Sequence, residues 1–224
     1  MEAFAEVDWF PLWLSLRVAT LATVVTTVVG VAGAYALART HFPGRGLVEA
    51  LASLPIVLPP TVLGYYLLVL IGRDSPIGQA WEALTGSPLV FTWQAAVLAA
   101  AVASLPFCLR TARAAFTAVD TRYEEAARVA GLPEWRIAVT VTLPLAARGV
   151  IAGITLAFAR ALGDFGTTVM VAGNVPGRTQ TMPIAVFDRV QAFDYASAGV
   201  LAGVLAAVAI VVLLVVRRLE RSTL

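Results

Sequence analysis

The sequence predicts an all-α, polytopic membrane protein with five transmembrane helices. Of its 224 residues, 59% are hydrophobic and only 13% are charged, whereas a typical soluble domain has about 25% charged residues. Five stretches are apolar enough for membrane spans, because a helix that crosses a bilayer needs about 20 mostly apolar residues. The spans and their loops use up the chain, so 1–224 is predicted to form a single membrane domain. We expect the five helices at about 12–38, 47–71, 92–118, 144–173 and 195–217.

The first of these stretches is predicted to remain as a membrane span. The segment before it, MEAFAEVDWF, contains Glu2, Glu6 and Asp8 but no basic residue. A cleavable signal peptide begins with a positively charged region. We therefore expect a membrane-embedded first helix rather than a signal peptide.

The arginines predict the orientation of the chain, because positively charged loops are retained on the cytoplasmic side of a membrane. Three residues lie on one side, Arg73, Arg178 and Arg189. Eleven lie on the other side, in the loops after spans one and three and in the tail: Arg39, Arg45, Arg110, Arg113, Arg122, Arg128, Arg136, Arg148, Arg217, Arg218 and Arg221. We therefore predict a multi-pass cell-membrane protein whose N-terminus lies outside the cell and whose C-terminus lies in the cytoplasm.

The composition excludes several kinds of chemistry. All 16 basic residues are arginine, so the lysine of a P-loop and the amine of a Schiff-base enzyme are missing. His41 and Cys108 are single residues of their kind, and we expect a loop residue and a small core residue rather than a metal site or a disulfide. We predict no catalytic residue, metal or cofactor in this chain, and no nucleic-acid partner.

Helix-breaking residues interrupt two of the predicted spans. Span two contains Pro55, Pro59 and Pro60, and span four contains Gly163 and Gly166, which we expect near the middle of the membrane. Such breaks need neighbouring groups to satisfy the freed backbone. They suit a pore that opens and closes, but they also occur in static bundles, so both interpretations stay open.

Charged residues inside the predicted spans need an explanation. Arg160 and Asp164 are four residues apart and are expected on one helix face. An unpaired arginine within a membrane span costs at least about 2.5–3.5 kcal/mol on insertion scales. Arg160 and Asp164 form either a salt bridge that fixes helix packing or part of the anion pathway. In the second case Arg160 offers a transient stop for an anion, and Asp164 keeps the anion from binding too tightly. Arg17, in span one, poses the same choice.

One polar segment stands out from the apolar chain, namely EEAARVAGLPEW at residues 124–135. Glu124 and Glu125 suit the first turn of a helix, Gly131 suits its end, and Pro133 suits the start of the next helix. The sequence predicts two short helices joined by a tight turn, within a cytoplasmic segment of about 120–143. Helices this short need another surface to pack against. That surface is either the membrane or a partner protein, to which the alanines offer a flat face: Ala126, Ala127 and Ala130.

The same segment resembles a known motif. Glu125, Ala126 and Ala127, followed at fixed spacing by Gly131 and by VTLP ending at Pro144, resemble the EAA motif of ABC-importer permeases. The family pattern is E-A-A, three residues, G, nine residues and I-x-L-P, and this chain has valine in place of isoleucine. In that family the motif forms a coupling helix that inserts into a cleft of the ATP-hydrolysing subunit. The resemblance implies these coupling residues: Glu124, Glu125, Ala126, Ala127, Gly131, Leu143 and Pro144.

Further stretches resemble the molybdate-type permease subunit of ABC importers over nearly the whole chain. They are LPIVLPPTVLGYYLL, SLPFCLR, LAFARALGDFG and NVPGRTQTMPIAVF. The family usually has GEFG where this chain has GDFG, so the acid at Asp164 is shorter. The candidate pathway or gating residues of this chain are Pro59, Pro60, Arg160, Gly163, Asp164 and Gly166.

The resemblance also implies partners. These are a second copy of the chain, a cytoplasmic ATPase dimer that binds ATP and Mg, an extracytoplasmic oxyanion-binding protein, and membrane lipid. The expected function is molybdate uptake. The alternatives are a tungstate or sulfate permease of the same family, or, in another class, a stand-alone channel or membrane scaffold, which would need no coupling segment.

Overall fold

A computed structural model describes residues 8–222 and confirms the all-α fold, with no strand among those residues. Glu2 and Glu6, which argued against a signal peptide, lie outside the described residues. The helices are α1 (Phe10–Arg39), α2 (Arg45–Val57), α3 (Pro60–Ile71), α4 (Pro76–Thr85), α5 (Trp93–Thr117), α6 (Thr121–Val129), α7 (Glu134–Ile137), α8 (Leu143–Leu162), α9 (Gly166–Ala172), α10 (Met182–Gln191) and α11 (Tyr195–Ser222). A π-helical turn, Ala138–Thr142, connects α7 to α8.

Four continuous helical segments are long and apolar enough to cross a membrane: Phe10–Arg39, Trp93–Thr117, Glu134–Leu162 and Tyr195–Val215. A fifth span results if α2 and α3 are counted as one broken helix, whose two halves differ in direction by 118°. The break lies at Leu58, which is extended, and at Pro59, which precedes α3, where the proline-rich sequence predicts it. The structure therefore has four continuous spans, and five if the sharply bent α2–α3 pair crosses the membrane as one.

The centre of the bundle is formed by α1, α5 and α8. These helices meet largely through small side chains, including Ala19 and Ala22 of α1, Ala96 and Ala100 of α5, and Ala161 of α8. Small residues let helix backbones approach closely, and in lipid this van der Waals contact drives helix association. Alanine-rich sequence thus places the three helices in direct contact.

The two ends of the bundle differ in what they carry. We call the end with residues 120–142 the hairpin end, because α1 and α5 finish there and α8 begins there. Glu49 of α2 lies 2.7 Å from Arg113 of α5, which places α2 at the same end. The opposite end carries the short helices α4 and α10.

The predicted fourth span, 144–173, differs from the observed helix. A continuous helical segment runs from Glu134 to Leu162, so the second helix of the predicted hairpin is not a separate short helix. The π turn makes this possible, because Pro144 has no N–H to donate and its ring would press on the carbonyl four residues earlier. In the wider turn the Leu143 N–H donates five residues back, to the Ala138 carbonyl.

The break at Gly163 lies nearer the opposite end than the sequence suggests. Leu162, the last residue of α8, packs in one cluster with Leu14 and Val18 from the first half of α1. Because α1 starts at the opposite end, the break is displaced towards that end rather than lying at mid-span. The long helical start at Glu134 accounts for the shift, since it lengthens the segment before the break.

Candidate functional site

The first helix of the polar hairpin, α6, begins and ends with defined capping groups. Asp120 caps α6, its Oδ1 accepting a hydrogen bond of 2.9 Å from the Arg122 N–H. At the other end Gly131 has φ +83°, as its position in the sequence predicts. The Gly131 N–H donates to the Arg128 carbonyl at 2.9 Å and the Leu132 N–H donates to the Ala127 carbonyl at 3.1 Å. These two bonds form a Schellman motif, which fixes the direction of the turn.

An ion pair closes the hairpin across this turn. Arg128 donates from Nε to Glu134 Oε1 at 2.6 Å and from Nη2 to Oε2 at 3.1 Å. The hydrogen bond to Glu134 holds the pKa of Arg128 above its ordinary value. A bidentate arginine–carboxylate pair fixes geometry as well as charge, so α6 and α7 are held together.

The predicted coupling residues do not share one face. Glu124 is only 1% exposed and Ala127 is 9% exposed, and both face the bundle. Glu125, Ala126 and Gly131 are exposed. The prediction of a flat docking face with all three alanines is therefore wrong for Ala127, which lies three residues after Glu124 on the same helix face.

At the base of the hairpin, the last two predicted coupling residues lie on the first turn of α8. Leu143 is half-buried and Pro144 is exposed. Pro144 is the second residue after the π turn and lies in the first turn of α8, where its missing N–H is tolerated.

The outward surface of the hairpin is more apolar than the motif indicates. Val129 is 91% exposed, Trp135 is 65% exposed and Tyr123 is 59% exposed. We call these three residues the outer face. Sequence reasoning missed Val129 and Tyr123, although a large apolar residue within an otherwise polar segment is a usable signal. Large apolar side chains that are exposed on a polar protrusion make it a candidate for a protein contact.

A second group of candidate residues meets where the two broken spans restart. A Cβ on Gly166, at the start of α9, would lie 2.8 Å from Pro60 Cβ, at the start of α3. One turn later, a Cβ on Gly64 would lie 2.6 Å from Met170 Cβ. The matching order of these contacts shows that α3 and α9 run parallel and touch along glycines. Pro60 and Gly166 are thus brought together, with Pro59 capping α3 beside them.

Arg160 and Asp164 form the expected pair. Arg160 Nη1 lies 2.8 Å from Asp164 Oδ1, an ion contact without a well-aligned hydrogen bond. The other oxygen, Oδ2, accepts from the Thr168 N–H at 3.0 Å and from its hydroxyl at 2.7 Å. Asp164 is buried and Arg160 is partly exposed. The carboxylate therefore also satisfies the beginning of α9.

Arg17 has a different environment from the one expected. Its guanidinium carbon lies 3.7 Å from the centre of the Trp93 ring and 5.2 Å from that of Trp13. Among residues 8–222 it has no carboxylate within salt-bridge distance. Within the described residues, Arg17 is therefore stabilised by cation–π contacts rather than by an ion pair.

The single histidine and cysteine lie apart from these sites. His41 is exposed in the loop after α1, and Cys108 is buried in α5 as a small core residue. Within residues 8–222, no three His, Cys, Asp or Glu side chains form a group that could hold a metal ion.

A known protein family matches this chain over nearly its whole length. The model of the family described as binding-protein-dependent transport system inner membrane component matches residues 14–223. The chain belongs to this family. Its hairpin and both broken spans fall within the matched residues of the inner membrane component.

Curated relatives of this inner membrane component include molybdenum and sulfate permeases. It is 44% identical over 184 residues to the molybdenum transport system permease protein ModB of Escherichia coli (strain K12), covering 82% of this chain and 80% of the relative. It is 41% identical to ModB of Azotobacter vinelandii, with 88% of both chains covered. To the sulfate transport system permease protein CysT of Escherichia coli (strain K12) it is 33% identical, covering 88% of this chain and 76% of the relative.

Solved structures share the fold of the inner membrane component. An inward-facing structure of the MetNI methionine ABC transporter matches with a TM-score of 0.73 at 18% identity, covering 96% of this chain and 94% of that chain. A bacterial ABC transporter involved in the import of the acidic polysaccharide alginate matches with a TM-score of 0.78 at 13% identity. The match covers 99% of this chain and 83% of that chain. At these identities the match concerns the fold alone. It confirms an ABC-transporter permease architecture for this membrane subunit.

Proposed function

We propose that this chain is the translocation subunit of an ATP-driven importer that carries molybdate across the cell membrane. The support comes from the relatives, since the molybdenum permeases are more similar to this chain (44% and 41% identical) than the sulfate permease (33%). Tungstate and sulfate remain the alternative substrates, because all three are tetrahedral dianions. Selectivity among them belongs mainly to the binding protein that delivers the anion.

The outer face of the hairpin carries the coupling part of the proposal. Val129 and Trp135 project from a turn that the Schellman motif and the Arg128–Glu134 pair make rigid. A rigid protrusion with apolar side chains is suited to a cleft in another protein. That partner is an ATPase subunit, which binds ATP and Mg, and this chain contributes no catalytic group.

The proposed assembly has two copies of this chain, two ATPase subunits at the hairpin end and an oxyanion-binding protein at the opposite end. The orientation follows from charge, because arginines gather at the hairpin end, including Arg39, Arg113, Arg128 and Arg136. Retention of positive charge in the cytoplasm supports a cytoplasmic hairpin and an N-terminus outside. Lipid surrounds the spans, and no nucleic acid takes part.

Within this assembly, closure of the ATPase subunits would move the hairpins and open the pore to the outside. The gate would lie at the paired starts of α3 and α9, where Pro59, Pro60 and Gly166 meet and where Gly163 is exposed nearby. Arg160 and Asp164 have a structural role in this proposal, because the pair neutralises its own charge and caps α9.

Uptake into proteoliposomes tests the proposal. The chain is reconstituted with its ATPase and binding protein, and we expect molybdate uptake that requires ATP, with competition by tungstate and sulfate measured in parallel. Trp135→Ala should lower uptake and retention of the ATPase, whereas Trp9→Ala, at an exposed tryptophan of the opposite end, should leave ATPase retention unchanged. Molybdate uptake that needs neither ATP nor the ATPase would instead indicate a channel.

A further inference from the structure

The buried side of the hairpin contains a carboxylate that contacts two membrane spans. Glu124 has a side chain only 2% exposed. Its Oε1 accepts a hydrogen bond of 2.9 Å from Arg39 Nε and one of 2.6 Å from the Thr142 hydroxyl. Arg128 Nη2 lies 3.8 Å from Oε2. A buried carboxylate requires such partners, because an uncompensated buried charge is strongly destabilising.

These partners belong to the elements that the hairpin would have to move. Arg39 is the last residue of α1, and Thr142 is the last residue of the π turn before α8. Arg39 also donates from Nη2 to the Val119 carbonyl, just after α5, at 3.2 Å. One carboxylate therefore connects the hairpin to the end of α1 and the start of α8, and through Arg39 to the segment just after α5.

The Thr142 hydroxyl, in the π turn, has two possible hydrogen-bond acceptors. The Thr142 hydroxyl lies 2.6 Å from Glu124 and 3.5 Å from the Ile137 carbonyl. A hydroxyl has one proton to donate, so the shorter contact to Glu124 takes it while the hairpin keeps this position. π turns are often found at functional sites within helices.

Glu125, the neighbouring residue, has the opposite surroundings. It is exposed and makes no side-chain hydrogen bond or ion pair within residues 8–222. Two adjacent glutamates thus face in different directions, one towards the solvent and one towards the spans. The pair offers a matched comparison on a single helix.

We propose that Glu124 is a positioning residue that transmits movement of the hairpin to α1 and α8, while Glu125 belongs to the docking surface. The inference rests on the proposed function, in which the hairpin binds an ATPase. A partner that displaces α6 would pull on Arg39 and Thr142 through the Glu124 carboxylate. Loss of its charge would separate binding of the ATPase from its control.

The test uses the full complex in proteoliposomes. In Glu124→Gln we expect the ATPase to co-purify at the wild-type ratio, while the stimulation of ATP hydrolysis by loaded binding protein falls about tenfold, as expected when one charge-assisted hydrogen bond no longer favours one hairpin position. Molybdate transported per ATP should fall as well. Glu125→Gln should weaken ATPase retention and leave transport per ATP of the retained complex unchanged.

Two further variants separate transmission from simple stability. Thr142→Val keeps the size of the side chain but removes the hydroxyl, and should lower stimulation less than Glu124→Gln because Arg39 remains paired. Arg39→Gln with Glu124→Gln replaces the ion pair by two amides and should restore part of the stimulation lost in either single variant. A purely structural role would lower yield without changing transport per ATP.

The outcomes are distinct. Wild-type stimulation in Glu124→Gln, or loss of ATPase retention equal to that in Glu125→Gln, would overturn the inference. If Glu124→Gln does not assemble, Thr142→Val decides, and unchanged stimulation in that variant overturns the proposal. Failure of the wild-type chain to bind any ATPase would instead refute the proposed function itself.

Discussion

Gly166→Ala probes the contact between the two half-helices, and its effect follows from a single distance. The added Cβ would lie 2.8 Å from Pro60 Cβ, whereas carbon atoms in good contact are about 3.5–4.0 Å apart. Pro60 Cβ belongs to a rigid ring, so α3 and α9 would have to separate by about 1 Å. Overpacking of this kind costs about 1–3 kcal/mol. The reduced freedom of the unfolded chain returns about 0.4–1 kcal/mol, which leaves a net loss of about 0.5–2 kcal/mol.

Gly163→Ala is the matched control, three residues away in the same break. Its Cβ would lie no closer than 3.6 Å to any neighbour, the nearest being the Ala159 carbonyl, and its φ of −92° suits alanine. This variant should gain the unfolded-state term without the clash, so the two substitutions should change stability in opposite directions. The two variants differ by the clash alone, about 1–3 kcal/mol, so at about 2–4 °C per kcal/mol for a chain of this size their melting temperatures should differ by about 2–12 °C.

The measurement is thermal unfolding of the detergent-purified chain, followed by fluorescence-detected size exclusion. We expect Gly166→Ala to melt below the wild type and Gly163→Ala to melt at or above it. A Gly166→Ala protein as stable as Gly163→Ala would refute the close parallel packing of α3 against α9. The gate proposed at that contact would then lose its structural basis.

Three other predictions address the hairpin, the charged pair and the orientation. Gly131→Val should be strained by about 1–2 kcal/mol at φ +83° and should lose the ATPase on purification. The control variant Gly86→Val, with φ +72° and equally open surroundings at the opposite end, should keep the ATPase. Equal retention of the ATPase in both variants would contradict the docking role. Arg160→Ala should lower the yield of assembled protein and the double variant with Asp164→Ala should recover part of it, but normal assembly with lost transport would favour a pathway role. A reporter after the C-terminus should be cytoplasmic and one in the loop near Pro76 extracytoplasmic, and one shared compartment would contradict the proposed topology.

The sequence predicts the spans well because membrane helices are specified by local properties. Length and apolar content locate α1, α5 and α11, and prolines locate the bend between α2 and α3. Gly131 was also predictable, since the end of a polar helix at a glycine depends on neighbouring residues alone. In each case a short stretch of chain contains the physical cause.

The orientation of Glu124 was not predictable from such local signals. Adjacent residues of an α-helix point about 100° apart, so either glutamate could face the spans. The choice depends on Arg39, which is 85 residues away in sequence. The pairing of Gly166 with Pro60 is hidden for the same reason, because nothing local to either residue indicates the other.

The prolines at the start of α3 also affect how well a membrane can remain sealed around this chain. A helix normally begins with four backbone N–H groups that lack helical partners, and inside a bilayer each would attract water. Pro59 and Pro60 have no such group, and the Val62 N–H donates to the Pro59 carbonyl at 2.9 Å, which leaves only Thr61. At α9 the Asp164 carboxylate accepts a hydrogen bond from one such group, the Thr168 N–H. α3 thus restarts within a membrane protein with little demand for hydration, which favours a resting permeability barrier that does not leak protons or small ions.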